Sequence, residues 1–169
     1  MKSIDRNDIN VDIIFKPTSK LNMNVEEIIL MHKEISDIYG STWLGTNQNF
    51  SEDKIREIDK NGYDIRVLFV SNENDDREHR VIYSAELIDI TTYANREKGS
   101  VRYHNNLVPL YYILDTKRCW LKLTNFKKVR GNKINIRDYK LLFREDEVKV
   151  EESLRKGQCC LMYAYREII

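Results

Sequence analysis

The chain has 169 residues, about the length of one domain, so we expect a single domain that spans residues 1–169. Hydrophobic residues make up 41% of the sequence and charged residues 33%, a balance that excludes disorder as the main state of the chain. The apolar runs are too short for a transmembrane helix, and the first residues lack the apolar segment of a signal peptide. We therefore expect a cytoplasmic protein that does not contact a membrane.

The formal net charge is only +1, yet the basic residues are unevenly distributed. Nine Lys or Arg stand against one acidic residue between positions 117 and 140. Such a segment is typical of a surface that binds polyanions and equally of an ordinary solvated face. The three cysteines are too few for a disulfide framework, so we expect reduced thiols.

Hydrophobic periodicity predicts the first elements in chain order. A strand covers Val11–Phe15, and a helix follows with Asn24 as its N-cap and Gly40 at its end. A second helix begins at Ser51 and stops at Asn61. Between these two helices lies the polar, glycine-bearing segment STWLGTNQNF, which we predict to be a loop.

From Tyr63 the hydrophobic period changes to two, which predicts an antiparallel hairpin whose second strand runs from Val81 to Leu87. The aromatic and polar residues 93–106 are a candidate functional loop. The remaining predicted elements are a strand over 119–123, a strand over 134–143, a helix over 145–156 and a final strand over 160–164. This order lacks repeated βαβ units, so we expect an α+β fold with a curved mixed sheet or small open barrel flanked by helices.

Few residues favour catalysis. The spacing of Gly40 and Gly45 matches a phosphate-binding loop, but the lysine that such a loop needs is missing. No metal-binding motif occurs, so we expect no metal, no cofactor and no enzymatic activity in this chain. Glu147 and Lys149 form the ExK triplet of magnesium-dependent nucleases, a less favoured alternative, because a highly charged chain contains such triplets by chance. We expect Cys119 in the core rather than as a nucleophile.

The aromatic residues are the richer signal, since ten Tyr and two Trp supply flat surfaces with polar edges. Trp43 lies in STWLGTNQNF, where no apolar period demands a large ring. The alternative for Trp43 is a buried structural residue between two helices. Trp120 lies inside a predicted strand, and we expect it to be structural.

Several segments in succession resemble the YTH domain, a member of the PUA-like superfamily that also includes EVE domains. The segments are DIIFKPTS, EEIILMHKEISDIY, STWLGTNQNF, DIRVLFVSNENDD with VIYSAELIDI, and CWLKLTNFKKV. The resemblance covers residues 11 to 143 and implies a PUA-like fold of the YTH/EVE type. It also implies recognition of N6-methyladenine, flipped out of its strand into an aromatic cage.

The resemblance assigns residues to this cage. Trp43 matches the first cage tryptophan of the family, whereas the second is absent and Tyr103 or Tyr93 would replace it. The groups that would read the adenine edge are Ser19, Asn22 and Asn24, together with backbone groups around Thr42 and Leu44. The residues that would contact phosphates are Lys16, Lys127, Lys128, Arg130 and Lys133.

Similar PUA-like domains stand at the N-termini of McrB-type subunits in modification-dependent restriction systems. The resemblance therefore implies a non-catalytic targeting domain for methylated DNA, with an AAA+ motor and a nuclease on a separate domain or subunit. Methylated RNA is a close variant, and the sequence leaves the choice open. The alternatives are a sequence-indifferent RNA- or DNA-binding PUA-like domain and, less favoured, the magnesium-dependent nuclease.

Overall fold

A computed structural model describes residues 9–17, 22–48, 51–60, 64–71, 78–93, 98–99, 107–110, 115–131, 133–156 and 161–167. The elements in chain order are β1 (Ile9–Phe15), α1 (Val25–Tyr39), β2 (Thr42–Thr46), α2 (Glu52–Lys60), β3 (Arg66–Ser71), β4 (Arg80–Thr92), β5 (Cys119–Lys128), a 3₁₀ helix (Ile136–Asp138), β6 (Lys140–Leu141), α3 (Val150–Arg155) and β7 (Leu161–Glu167). None of the described helices is long and apolar enough to cross a membrane.

The described strands form a seven-stranded sheet in the order β2-β5-β4-β3-β1-β7-β6. β1 pairs parallel with β3 and antiparallel with β7, so the sheet is mixed. The predicted α+β class and mixed pairing are therefore confirmed. β3 and β4 are neighbours, as the predicted hairpin requires, and the turn between them lies outside the described residues.

The chain divides into two compact units. The first comprises residues 1–18, 58–84 and 128–169, and therefore holds β1, β3, β6, α3 and β7. The second comprises residues 19–57 and 85–127, and holds α1 and β2 with most of β5. β4 begins in the first unit and continues into the second after Ser84.

The first helix shows how local sequence determines an element. The side chain of Asn24 accepts a hydrogen bond from the backbone N–H of Glu27, and the backbone N–H of Asn24 donates to the Glu27 carboxylate, both at 2.8 Å. This capping box satisfies two of the unpaired donors at the helix N-terminus. Gly40 ends the helix with φ at +89°, a left-handed conformation that glycine adopts without strain. The predicted bounds of this helix are confirmed.

Two predicted elements are wrong in extent. The helix expected over 145–156 begins only at Val150, because backbone hydrogen bonds pair residues 148 and 150 with residues 141 and 139. The strand expected over 134–143 is reduced to Lys140–Leu141. Its first half is a 3₁₀ helix, because the side chain of Asn135 accepts a hydrogen bond from the backbone N–H of Arg137.

The core of the first unit forms on β1. Ile14 stands opposite Leu68 of β3 and Met162 of β7, and these three buried side chains belong to one apolar cluster. Val11 stands opposite Tyr165 in a second cluster, as expected for side chains that alternate across a strand.

Asp12 is the buried charge of this strand, with 1% of its surface exposed. Arg66 donates two hydrogen bonds to its carboxylate, from Nε at 2.8 Å and from a terminal nitrogen at 2.9 Å. The hydroxyl of Tyr139 donates a third at 2.6 Å, and burial raises the pKa of that hydroxyl, so Tyr139 keeps its proton. Such bonds offset the cost of taking a carboxylate out of water.

Replacing Asp12 with Ala leaves Arg66 and Tyr139 without their acceptor. We expect the variant to lose about 3–5 kcal/mol of unfolding free energy, the usual cost of breaking a buried ion pair. Urea denaturation measures this loss, and Asp59→Ala on the exposed side of α2 is the matched control, expected within about 0.5 kcal/mol of the parent. Equal stabilities of the two variants would contradict a role for the Asp12 network.

Candidate functional site

Trp43 lies in β2, and the loop predicted for STWLGTNQNF is wrong over Thr42–Thr46. β2 pairs antiparallel with β5, with Trp43 opposite Lys122 and Gly45 opposite Trp120. Thr and Trp favour strands when a partner strand is present, and here the partner is about 80 residues away in sequence, beyond the reach of local patterns. β2 is an edge strand of the described sheet, so only one of its sides is paired within it.

Trp43 belongs to a small apolar cluster of the second unit. The cluster contains Trp43, Trp120 and Val108, with the half-buried Tyr93 and Leu107 packed against it. We call this set the aromatic cluster. Trp43 belongs to this cluster and Tyr93 packs against it, whereas Tyr103 lies outside the described residues. Only 4% of the surface of Trp43 is exposed, so the cluster is closed in this structure.

Two glycines make room for the rings of the aromatic cluster. A Cβ atom at Gly45 would lie 2.7 Å from the ring of Trp120, and one at Gly99 would lie 1.8 Å from the ring of Tyr93. The indole nitrogen of Trp120 donates a hydrogen bond to the carbonyl of Gly99 at 2.8 Å. Trp120 is fully buried, as expected for a structural residue.

A cation stands beside the indole of Trp43. The ammonium of Lys122 lies 5.7 Å from the ring centroid, within the range of a cation–π contact. Because Lys122 is directly opposite Trp43 on the paired strand, the register of β2 and β5 fixes this contact. Lys122 is not among the phosphate contacts predicted from the sequence. Its alternation with Leu121 and Leu123 is the sequence signal that places it on the other face of the strand from these two leucines.

A buried hydrogen-bond relay connects the aromatic cluster to α1. The hydroxyl of Thr42 donates to the carbonyl of Leu107 at 3.1 Å, so His32 Nδ1, also at 3.1 Å, donates to the Thr42 oxygen. Complete burial lowers the pKa of His32 to about 3, so its imidazole is neutral at pH 7. The side chains of Thr42 and Leu44 are buried, and the backbone groups assigned to the adenine edge belong to the edge strand β2.

The predicted base-edge residues after β1 have other surroundings. The Asn24 side chain caps α1, and Asn22 is exposed with φ at +62°. Ser19 lies outside the described residues. The structure therefore shows a capping role for Asn24, and it places neither Asn22 nor Asn24 in the aromatic cluster.

The predicted phosphate contacts are divided between the units. Lys127 belongs to the second unit, and Lys16, Lys128, Arg130 and Lys133 belong to the first. Lys127, Arg130 and Lys133 are exposed and form no ion pair with any carboxylate in the described part of the chain. The ammonium of Lys128 lies 5.9 Å from the ring of Tyr83.

Lys16 is engaged inside the first unit. Its ammonium donates to His79 Nε2 at 3.0 Å, and burial together with the positive charge of Lys16 lowers the pKa of His79. This contact makes Lys16 a weaker candidate for a phosphate contact than the three exposed cations, because its ammonium already has a buried acceptor.

The described residues that were considered for catalysis are Glu147, Lys149 and Cys119. The described ranges contain no group of three or more His, Cys, Asp or Glu that could hold a metal ion. Glu147 is exposed and lies 3.6 Å from Lys140, and Lys149 is exposed at the start of α3. Cys119 is buried as expected, and burial raises the pKa of its thiol to about 12.

No protein-family model, curated protein or solved structure matches this chain. The resemblance to YTH and EVE domains therefore rests on the sequence segments alone, and a PUA-like fold stays a prediction.

The neutral His32 makes the second unit sensitive to acid. Its pKa is about 3 in the folded protein and about 6.5 when unfolded, so the unfolded chain binds more protons between these values. The stabilisation is complete above about pH 6.5 and is lost as the pH falls toward 3. Between about pH 7.5 and pH 5 we expect the parent to lose about 2 kcal/mol more unfolding free energy than His32→Gln, which keeps a donor for Thr42. Urea denaturation at both pH values measures the difference, and parallel losses would contradict it.

Proposed function

We propose that this chain is a non-catalytic reader of N6-methyladenine in nucleic acid, with DNA favoured over RNA. The observation that supports it is the aromatic cluster, where Trp43 of the edge strand β2 lies in one cluster with Trp120, Tyr93 packs against that cluster, and Lys122 stands beside the indole of Trp43. The segments that resemble the YTH domain, and the fold of PUA-like type with a curved sheet that they imply, belong to the same proposal.

The chemistry of the aromatic cluster suits a flipped methylated base. A purine ring stacks on indole and phenol faces, and Val108 and Leu107 offer apolar surface to an N6-methyl group. Burying one methyl contributes about 0.8 kcal/mol, which is about fourfold in affinity. Lys122 places a positive charge where the phosphate of a flipped nucleotide would approach.

Base binding requires the aromatic cluster to open, because Trp43 is 4% exposed. Opening breaks the hydrogen bond from Thr42 to Leu107, worth about 1 kcal/mol, and exposes a valine side chain, which costs about 2 kcal/mol. A cost of about 3 kcal/mol lowers the apparent affinity about a hundredfold relative to a preformed cage. The proposed reader is therefore one whose cage forms on binding.

The cellular role that we propose is that of a targeting module in a modification-dependent restriction system. Its partner is methylated DNA, or methylated RNA in the close variant. An AAA+ motor and a nuclease on a separate domain or subunit supply the catalysis. The proposed role follows from the sequence resemblance, and the proposed cytoplasmic location from the shortness of the apolar runs in the sequence.

A second candidate function is sequence-indifferent binding of RNA or DNA by exposed cations without a base cage. It is favoured by one contrast in exposure, since Trp43 is buried whereas Lys127, Arg130 and Lys133 are exposed. Phosphate contacts of this kind give affinity that falls steeply with salt and carry no preference for a methyl group.

Fluorescence anisotropy with paired dodecamers that differ by one N6-methyl group separates the two functions. We expect the parent to bind the methylated strand at least about fourfold more tightly. Trp43→Leu keeps apolar volume but removes the stacking surface, so we expect this variant to bind the methylated and the unmethylated dodecamer with equal affinity. Phe126→Leu, which removes another buried ring of the second unit, is the matched control and keeps the preference. Equal affinities in the parent would exclude the reader.

The exposed cations are tested by salt dependence. Replacing Lys127, Arg130 and Lys133 with Gln is expected to weaken both dodecamers equally and to lower the slope of log K against log salt by about 2 for single strands. The charge-matched control replaces Lys54, Lys60 and Lys156, which are exposed elsewhere, and leaves the slope unchanged. An unchanged slope in the first triple variant would show that these cations do not contact phosphate.

A further inference from the structure

Residues 107–110 form a short segment that packs against the aromatic cluster, and we call them the cover segment. Val108 belongs to the cluster and Leu107 packs against it. Pro109 is buried as well, whereas Leu110 is 81% exposed, so the chain reaches the protein surface two residues after Val108. The cover segment therefore spans from the aromatic cluster to the surface.

Within the described part of the chain, one hydrogen bond joins the cover segment to β2. The hydroxyl of Thr42 donates it to the carbonyl of Leu107 at 3.1 Å. Because a hydroxyl has a single proton, this bond requires the Thr42 oxygen to accept from His32 Nδ1, which lies 3.1 Å away. The buried His32 therefore orients the hydroxyl toward the cover segment.

Gly99, the other backbone position against the aromatic cluster, is held more firmly. Its N–H donates to the carbonyl of Lys117 at 3.1 Å, and the N–H of Lys117 donates back at 3.0 Å. The indole of Trp120 donates a third bond to the Gly99 carbonyl at 2.8 Å. Hydrogen bonds of these kinds contribute similar free energies. Parting the cluster at Gly99 breaks these three bonds, whereas parting it at the cover segment breaks the one bond from Thr42.

We infer that the cover segment is the gate of the proposed base site and that Thr42 is its latch, an inference that rests on the proposed function. The gate opens when the bond from Thr42 to Leu107 breaks and Val108 leaves the cluster, which frees surface of the Trp43 indole for a purine. Pro109 has a fixed φ and restricts Val108 before it, so this pair moves as a unit.

Thr42 is thus a positioning residue that acts through Leu107 and does not contact the base. Because the closed state competes with the ligand, a weaker latch raises the apparent affinity for the base. A threonine whose hydroxyl contacts the base has the opposite effect, since its loss weakens binding. The direction of the change in affinity therefore distinguishes a latch from a contact residue.

Thr42→Val removes the hydroxyl and keeps the shape of the side chain. We expect it to shift the gate about fivefold toward the open state, the usual effect of losing one hydrogen bond. The variant is expected to be less stable than the parent and to bind the N6-methylated dodecamer about fivefold more tightly in fluorescence anisotropy. Thr42→Ser keeps the hydroxyl and is expected to restore the parent affinity.

Hydrogen–deuterium exchange of the two indole N–H groups measures the opening without nucleic acid. In Thr42→Val we expect the Trp43 indole to exchange about fivefold faster than in the parent, the same factor as the gain in affinity. The Trp120 indole, bonded to Gly99, keeps its rate, which separates opening of the gate from unfolding of the unit.

Thr124→Val is the matched control. The Thr124 hydroxyl donates to the carbonyl of Gly40 at 2.7 Å within the same unit, so the variant loses a comparable bond outside the aromatic cluster. We expect it to keep the parent affinity and the parent exchange rate of Trp43.

A parent exchange rate of Trp43 in Thr42→Val would overturn the gate. Where the parent prefers the methylated dodecamer, faster exchange without a gain in affinity also overturns it. Where the parent shows no preference, the reader is excluded, and the exchange rates still decide whether Thr42 latches the cover segment. If Thr42→Val does not fold, Val108→Ala decides, because its loss of apolar contact is expected to speed the exchange of Trp43 at least about fivefold.

Discussion

The register between β2 and β5 is the constraint on which the aromatic cluster depends. Gly45 stands opposite Trp120, so the ring of Trp120 lies over a position without a side chain, and Lys122 stands opposite Trp43. A slip of β2 by one residue would turn the side chain of Trp43 and the bare position of Gly45 to the other face of the sheet, away from Lys122 and Trp120. The same register brings both indoles into one cluster, where Val108 and Leu107 pack against them. Stability and the proposed recognition of a base therefore use the same packing.

Each unit also contains a buried polar group that its neighbours satisfy. Asp12 is held by Arg66 and Tyr139 in the first unit, and His32 is held by Thr42 in the second. A buried polar group costs more than an apolar one unless its partners are in place, so both groups favour one arrangement of the elements around them. For the aromatic cluster the relay has a further consequence, because Thr42 also fixes Leu107. Opening the cluster for a base therefore disturbs a bond that His32 supports.

The sequence predicted the elements whose signals are local, and it failed where distant residues decide. The first helix was predicted with its caps because Asn24, Glu27 and Gly40 act within their own turns. The local pattern predicts a loop at β2 because the partner strand, β5, is far away in the chain. Trp43 belongs to the aromatic cluster and Tyr93 packs against it, whereas Leu107 and Val108, about 65 residues from β2, carry no local signal.

The central claim is that the indole of Trp43 becomes the stacking surface for a methylated adenine. The chain has two tryptophans, so a ¹H–¹⁵N spectrum contains two indole signals, and a Trp120→Phe variant assigns them. Adding a dodecamer with one N6-methyladenine is predicted to move the Trp43 signal strongly by ring current and the Trp120 signal less, since Trp120 keeps its bond to Gly99. The unmethylated strand moves both signals less. A Trp43 signal that stays in place while the dodecamer binds would contradict the account.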